Sequence, residues 1–215
     1  MIKRLAGEAI GTAFLLIAVV GSGIMAERLT DDIALALLAN AIATGAALYV
    51  LITTLGPVSG AHFNPAVTLA MAVRGRIGIR EGMAYTLVQI LAAIIGVWIA
   101  HFMFETDILQ TSIKVREGWA QLGSEALACF GLVFFIFLAV RYRGEAVATT
   151  VALYITGAYW FTASTSFANP AVTIARSLTD TFSGIAPGDA PGFILAQLVG
   201  AVCAAGAAAC LAPDE

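Results

Sequence analysis

The stretch Asn64-Pro65-Ala66-Val67-Thr68-Leu69-Ala70 returns later in the chain as Asn169-Pro170-Ala171-Val172-Thr173-Ile174-Ala175, with a single Leu/Ile exchange. Each copy interrupts a hydrophobic run and carries a helix-starting signal, because Asn is a good N-cap and Pro suits the first helical position. One copy alone would favour ordinary helix capping. Two matched copies, one in each half, favour a transporter or channel built from two related halves.

The composition is that of a membrane protein. Hydrophobic residues make up 60% of the 215 residues and charged residues only 12%, with a mean hydropathy of +0.92. A soluble domain of this length does not bury so much apolar surface. The net charge of −3 gives no indication of a nucleic-acid partner. Cys129, Cys203 and Cys210 lie in apolar stretches, so we expect neither a disulfide framework nor a metal site, and no cofactor.

Six apolar stretches are long enough to span a bilayer core, which takes about 20 residues of helix. They are residues 5–25, 33–54, 83–104, 120–140, 146–163 and 192–211. Two shorter apolar segments follow the repeated motif, at 65–73 and 170–178, and nine helical residues rise only about 14 Å, half of the core. We therefore predict an all-α polytopic membrane protein with six transmembrane helices and two half-helices.

The organisation follows from this count of spans. We predict a single channel domain over 1–215, with halves at about 1–104 and 120–211 joined by an extracellular loop, 105–119. Each half has three spans, an odd number, so the halves would have inverted topology. Their Asn-Pro steps would then lie face to face near the middle of the membrane.

Basic residues predict the orientation in the membrane. Seven flank one face: Lys3, Arg4, Arg74, Arg76, Arg80, Arg141 and Arg143. Four flank the other: Arg28, Lys114, Arg116 and Arg176. The excess favours both termini in the cytoplasm.

The face-to-face motifs would have a physical effect on a lumen between them. Each half-helix N-terminus carries roughly half a positive charge from its macrodipole, which repels cations and protons at a narrow point. The side-chain amides of Asn64 and Asn169 can donate hydrogen bonds to a passing oxygen. The small side chains of Ala66 and Ala171 let the two helix ends pack closely.

These motifs resemble those of a known family. The segment 59–68, Ser-Gly-Ala-His-Phe-Asn-Pro-Ala-Val-Thr, together with Asn169-Pro170-Ala171 and Gly7-Glu8-Ala9-Ile10-Gly11-Thr12, closely resembles the aquaporin family, the major intrinsic proteins. The resemblance covers the whole chain. It implies an hourglass fold with one pore per subunit and a homotetramer in the lipid bilayer. It also implies that the pore motifs are Asn64, Pro65, Ala66, Asn169, Pro170 and Ala171.

Two carboxylates occupy equivalent places in the two halves, Glu8 in the first span and Glu125 in the fourth. Ionisable groups inside spans face protein or water. By the resemblance, they brace the half-helix loops by accepting backbone hydrogen bonds. A catalytic pair is the alternative, but nothing nucleophilic or metal-binding accompanies it, so we do not expect an enzyme. His62 is expected in the cytoplasmic vestibule or against loop carbonyls, and His101 at the membrane interface.

The family's spacing also assigns the selectivity filter to Thr44, Gly157, Ser166 and Val172. Most members carry Arg at the position of Val172, and water-selective members carry bulky side chains at the first two positions. None of the four residues here is aromatic or charged, so the resemblance predicts a wide outer constriction. Gly157 resembles the glycerol-conducting type, although Thr173 stands where that type usually carries Asp.

Arg176 bears on the expected width and charge of the outer constriction. It lies four residues after Val172, and hence on the same helix face one turn further on. Its guanidinium either reaches back over the filter as a pore-facing charge or snorkels and braces the loop, with Asp180 near enough to pair with it. Both alternatives remain open at this point.

We predict a passive channel for small uncharged solutes: water, glycerol and other polyols, urea, and arsenic or other metalloid acids. A narrower resemblance to aquaglyceroporin-like bacterial proteins that carry Val in place of the filter Arg, and that are associated with arsenic handling, suggests the last class and a bacterial inner membrane. One alternative is an orthodox water channel narrowed by Arg176 or by aromatic side chains, namely Phe167, Tyr159 or Trp160. The other is a non-conducting junction protein on the same fold.

Overall fold

The computed structural model describes residues 1–212, and residues 213–215 of the predicted domain lie outside them. This part of the chain contains eight α-helices, no β-strand, and a short 3₁₀ turn at Gly144–Ala146. The helices are α1 Ile2–Leu29, α2 Ile33–Ser59, α3 Pro65–Val73, α4 Ile79–Met103, α5 Trp119–Tyr142, α6 Val147–Phe161, α7 Pro170–Arg176 and α8 Ala190–Leu211. The predicted all-α fold class is confirmed.

Five of the described helices are long and apolar enough to cross a membrane: α1, α2, α4, α5 and α8. The fifth predicted span, at 146–163, is shorter than expected. The 3₁₀ turn ends at Ala146 and extended backbone begins at Thr162, so α6 has only 15 residues. At 1.5 Å per residue it rises about 22 Å, less than the thickness of a bilayer core.

The half-helices α3 and α7 begin at the two repeated motifs because each Asn caps its own helix. Asn64 Oδ1 accepts the Ala66 N–H at 2.8 Å. Asn169 Oδ1 accepts the N–H groups of Ala171 at 3.0 Å and Val172 at 3.3 Å. The proline after each Asn occupies the first helical position, where a backbone N–H has no partner within the helix. Its missing N–H therefore costs no helical hydrogen bond. Helix α3 has its predicted bounds, whereas α7 ends two residues before the predicted 170–178.

The two halves make matching contacts. Helix α1 packs on α2 and α4, and correspondingly α5 packs on α6 and α8. Each half-helix also contacts the other half: α3 packs on α8, and α7 on α4. The organisation into inverted halves at 1–104 and 120–211 stays a prediction, with this contact pattern in its favour.

Glycines bring the long helices close together. A Cβ atom at Gly96 on α4 would come within 2.4 Å of the Ala13 carbonyl oxygen on α1. In the second half, a Cβ atom at Gly200 on α8 would come within 2.2 Å of the Ala126 carbonyl oxygen on α5. Close crossings of this kind are typical of membrane helices, where small residues let backbones approach.

The outer faces of the long helices are apolar. Phe102, Leu153 and Leu195 are 75%, 67% and 66% exposed, respectively. Large apolar side chains cover this surface on several helices, which suits contact with lipid chains rather than water.

Candidate functional site

The two motif loops cross at the centre of the molecule. Asn64 Nδ2 donates to the Ala168 carbonyl at 2.7 Å, and Asn169 Nδ2 donates to the Phe63 carbonyl at 2.9 Å. Each asparagine thus caps its own half-helix with Oδ1 and ties itself to the opposite loop with one N–H. A side-chain NH₂ group has two hydrogens, so one remains in each case for a molecule in the adjoining cavity.

The backbone of both loops is strained. Ala61 and Phe63 in the first loop have φ angles of 49° and 48°, and Ser166 and Ala168 in the second have 50° and 48°. These residues are not glycines, and the left-handed conformation costs each of them about 1–2 kcal/mol. The loops therefore need strong hydrogen bonds to hold their shape.

Glu8 on α1 supplies those bonds to the first loop. Its Oε1 accepts the His62 N–H at 3.0 Å and the Ser59 hydroxyl at 2.7 Å. Its Oε2 accepts the Phe63 N–H at 2.7 Å and the Gln89 side-chain N–H at 2.8 Å. The carboxylate is fully buried, so all four bonds are made away from water.

Glu125 on α5 makes the same set of bonds to the second loop. Its Oε1 accepts the Ser164 hydroxyl at 2.5 Å and the Phe167 N–H at 2.9 Å. Its Oε2 accepts the Ala168 N–H at 2.9 Å and the Gln197 side-chain N–H at 2.5 Å. Both oxygens are used by the protein itself, so the geometry is that of a loop brace and leaves no free base.

A cavity runs past the crossing on both sides. Its empty space, including the part open to solvent, is about 840 Å³. Asn64 and Asn169 line its middle. One side is mostly apolar and includes Ile52, Met71, Val140 and Val147. The other side, which we call the outer mouth, includes Thr44, Tyr159, Ser166, Phe167, Val172 and Arg176.

His62 lies beside the apolar side of the cavity. It is half-buried, and its Nδ1 is 3.1 Å from the Thr68 hydroxyl. Its ring meets Tyr85 edge to face, with centroids 5.4 Å apart. The structure therefore places His62 at the wall of the cavity and ties its side chain to the half-helix α3.

Three of the four expected filter residues line the outer mouth, and Gly157 does not. Thr44, Ser166 and Val172 contribute to the cavity wall. A Cβ atom at Gly157 would lie 3.8 Å from Phe161, whose side chain is 58% exposed on the outer surface. Gly157 and Tyr159 are two residues apart on α6, and residues two apart point to nearly opposite faces of a helix. Because Tyr159 lines the cavity, Gly157 faces away from it.

Helix α6 instead directs Tyr159 into the outer mouth. The Tyr159 hydroxyl lies 3.1 Å from the Thr44 hydroxyl, and Phe167 lines the same region. The assignment of the filter to Thr44, Gly157, Ser166 and Val172 stays a prediction, and the aromatic side chains of Tyr159 and Phe167 add bulk that it did not include. Trp160, the third aromatic considered, is 49% exposed on the outside. The buried Ser166 hydroxyl has no hydrogen-bond partner among the described residues, and is free to bind a molecule in the cavity.

Arg176 both lines the outer mouth and braces its wall. The side chain is 2% exposed, and its Nε donates to the Ser183 carbonyl. Its guanidinium carbon lies 3.4 Å from the centroid of the Phe167 ring, a cation–π contact. Asp180, considered as its partner, instead accepts the Ile113 N–H at 3.0 Å. The two alternatives for Arg176 therefore do not exclude each other.

A second arginine, Arg116, reaches the same ring from the connection between α4 and α5. Its guanidinium carbon is 4.9 Å from the Phe167 centroid. Burial lowers the pKa of Arg116. Burial also lowers the pKa of Lys114 on the same connection, and the positive charges of Arg116 and Arg176 add to that effect. The sequence gives no signal for this contact, because Arg116 lies in an irregular segment outside the motifs.

His101, which we expected at the interface, is fully buried. Its ring nitrogens lie 2.9 Å from the Ile108 carbonyl oxygen and 2.7 Å from the Thr179 hydroxyl. The connection after α4 folds back over the end of that helix and covers the imidazole. Within residues 1–212, no group of three or more His, Cys, Asp or Glu side chains could hold a metal ion.

The chain is similar to known proteins of one family. The family model described as major intrinsic protein matches residues 1–162. Aquaglyceroporin AqpS of Rhizobium meliloti (strain 1021) is 60% identical over 202 residues, covering 94% of this chain and 87% of that protein. Aquaporin NIP1-2 of Arabidopsis thaliana is 33% identical over 150 residues, covering 69% of this chain and 50% of that protein.

The fold is also found in a solved structure. The X-ray structure of the aquaglyceroporin from Plasmodium falciparum superimposes with a TM-score of 0.74 at 20% identity, covering 95% of this chain and 94% of that one. At this identity the likeness shows the fold alone. It confirms the predicted arrangement of long helices and half-helices.

Proposed function

The chain belongs to the major intrinsic protein family, and on this premise we propose that it is a passive channel for water and small uncharged solutes such as glycerol. A relative with 60% identity is named an aquaglyceroporin, which supports water and glycerol as the solutes. Aquaglyceroporins of this family are channels, so the prediction that the chain is not an enzyme is confirmed. The chain is a multi-pass membrane protein.

The observation that carries the proposal is the cavity that passes the crossed motif loops. Its wall is largely apolar, and Asn64 and Asn169 each keep one amide N–H for a molecule at the crossing. A passing hydroxyl can exchange its hydrogen bonds for these donors, while the apolar wall offers nothing that would hold it. Binding is then favourable enough for entry and weak enough for release.

The outer mouth suits a polyol because it has two chemical faces. The hydroxyls of Thr44, Tyr159 and Ser166 form its polar side. Val172 and the Phe167 ring form its apolar side. Glycerol likewise presents hydroxyls along one edge and C–H groups along the other, so it can satisfy both sides at once.

Charge exclusion belongs to the proposal. The N-termini of α3 and α7 meet at the crossing, and each carries a fractional positive charge. The guanidinium of Arg176 adds a full positive charge at the outer mouth. A cation would also have to shed its hydration shell in the narrow lumen, so protons and alkali cations stay outside.

We extend the proposal to urea and to uncharged metalloid acids, including those of arsenic. These molecules present amide or hydroxyl groups of a size similar to glycerol, and the hydroxyls of the outer mouth can bind them in the same way. We also propose a homotetramer in a bacterial inner membrane, with both termini in the cytoplasm. The support for these points is the family membership, the rhizobial relative and the distribution of basic residues.

A water-selective channel is the second candidate, and one observation favours it. Tyr159, Phe167 and Arg176 bring bulk to the outer mouth that the expected filter lacked. Proteoliposome swelling, measured separately for water, glycerol and urea, distinguishes the two candidates. We expect water, glycerol and urea all to enter the vesicles. Water flux with glycerol and urea excluded would establish the second candidate, and vesicles with no flux above empty liposomes would indicate a non-conducting protein.

A further inference from the structure

We propose that Arg116 is a specificity-determining residue of the outer mouth, where it supplies a second fixed positive charge beside that of Arg176. The proposal rests on the channel function proposed above. Arg116 does not itself line the cavity, but it contacts the ring of Phe167, which does. Its role is to make the outer mouth more positive than Arg176 alone would make it.

Hydrogen bonds fix the Arg116 side chain in place. Its Nε donates to the Gly184 carbonyl at 2.9 Å, and its Nη1 donates to the Ser164 carbonyl at 3.2 Å. Ser164 belongs to the loop before the second motif, and Gly184 to the segment after α7. The guanidinium therefore links the segments before and after α7, because its planar set of N–H donors can bond to two carbonyl groups at once.

The two arginines form a paired arrangement. Arg176 donates to the Ser183 carbonyl and Arg116 to that of the next residue, Gly184. Their guanidinium carbons lie 3.4 and 4.9 Å from the centroid of the one Phe167 ring. They are therefore at most about 8 Å apart, a distance comparable to the screening length of physiological salt. In the partly dry mouth, screening is weaker and the two charges act together.

Two carboxylates near this pair offset part of its charge. Glu125, which accepts four hydrogen bonds from the second loop and from Gln197, keeps its negative charge, and that charge acts on both arginines. Asp189 directs Oδ2 to the backbone N–H of Arg116 at 2.7 Å. Val172 stands directly after the motif and carries no charge. The two positive charges that contact the Phe167 ring are those of Arg116 and Arg176, so removing either one makes the outer mouth less positive.

The test compares two permeants of the same shape. Urea and guanidinium are both small and planar, but only guanidinium is charged. Their fluxes into proteoliposomes are measured for the wild type, Arg116→Gln, Arg116→Lys and Arg176→Gln. Arg143→Gln is the matched control, because Arg143 is 78% exposed and pairs only loosely with Glu145, at 3.8 Å. Water flux reports on folding in each case.

We expect Arg116→Gln to raise the guanidinium-to-urea flux ratio about tenfold, since it removes a unit charge 4.9 Å from the ring of Phe167, which lines the cavity, in a medium of intermediate dielectric. Arg116→Lys should stay close to the wild type because it keeps the charge, and Arg143→Gln should not change the ratio. An unchanged ratio in Arg116→Gln with normal water flux would overturn the proposal. If Arg116→Lys also raises the guanidinium-to-urea flux ratio, the hydrogen bonds of the Arg116 guanidinium matter rather than its charge, and the proposal is overturned.

A second measurement needs no substitution at Arg116. In Arg176→Gln, Arg116 is the remaining charge of the pair, so the ratio should still rise as the salt concentration is raised. A ratio that does not respond to salt in this variant would contradict the proposal. Should the wild type exclude urea and glycerol while passing water, the proposed solute range fails, and the guanidinium-to-water ratio then tests Arg116 separately.

Discussion

Replacing Glu125 with Gln is expected to destabilise the second motif loop by about 3–5 kcal/mol. The carboxylate accepts two donors on each oxygen, and one of each pair is a backbone N–H, from Phe167 or from Ala168. Whichever way the Gln amide is turned, its NH₂ group faces one of those N–H groups. A buried donor left without a partner costs about 1–3 kcal/mol, and the remaining bonds lose the extra strength of a charged acceptor. The hydrogen bonds that offset the strain of the positive φ angles at Ser166 and Ala168 are then weakened.

Thermal unfolding in detergent micelles measures this change, and stopped-flow water flux reports on the pore. A loss of this size should lower the midpoint by about 10 °C for a chain of this length, and the flux should fall as the loop loosens. Glu117→Gln is the control, because that carboxylate is exposed on the connection before α5. A midpoint within about 2 °C of the wild type, with normal flux, would refute the role of Glu125 as a loop brace.

Three further substitutions test separate parts of the account. Mercury should inhibit water flux weakly, because Cys203 and Cys210 are exposed on α8 outside the cavity wall, whereas Ser166→Cys should make the block strong. Tyr159→Phe should lower the glycerol-to-water flux ratio about two- to tenfold, the worth of one neutral hydrogen bond. Gly11→Ala should destabilise the fold by about 1–3 kcal/mol, because its Cβ would lie 2.0 Å from the Phe63 ring, and Gly206→Ala, with nothing within 4 Å, should not.

The parts of this molecule that the sequence predicted are those set by local signals. Helix α3 begins and ends where expected, because Asn64 and Pro65 are a start signal that needs no tertiary contact. The long apolar runs identified the spans in the same way. Helix α6 differs, because a 3₁₀ turn precedes it at Gly144–Ala146 and extended backbone begins at Thr162, and neither is marked by a cap or a proline in the sequence.

The parts that the sequence did not predict depend on contacts between distant segments. Counting along the chain assigned Gly157 to the filter, whereas the rotation of α6 about its axis directs Tyr159 into the outer mouth and Gly157 away from it. That rotation is set by packing against α2 and α5. The contact of Arg116 with the Phe167 ring was not predicted, because it depends on three segments that meet only in the folded chain.

The central claim is that water and glycerol cross the membrane through the cavity between the two halves. The most direct test is glycerol and water flux in proteoliposomes with Thr44→Phe, compared with Gly157→Ala. Thr44 lines the outer mouth, whereas Gly157 faces Phe161 on the outside. The account predicts glycerol flux in the wild type and in Gly157→Ala, and its loss in Thr44→Phe. Glycerol flux that persists in a folded Thr44→Phe variant would place the path elsewhere and contradict the account.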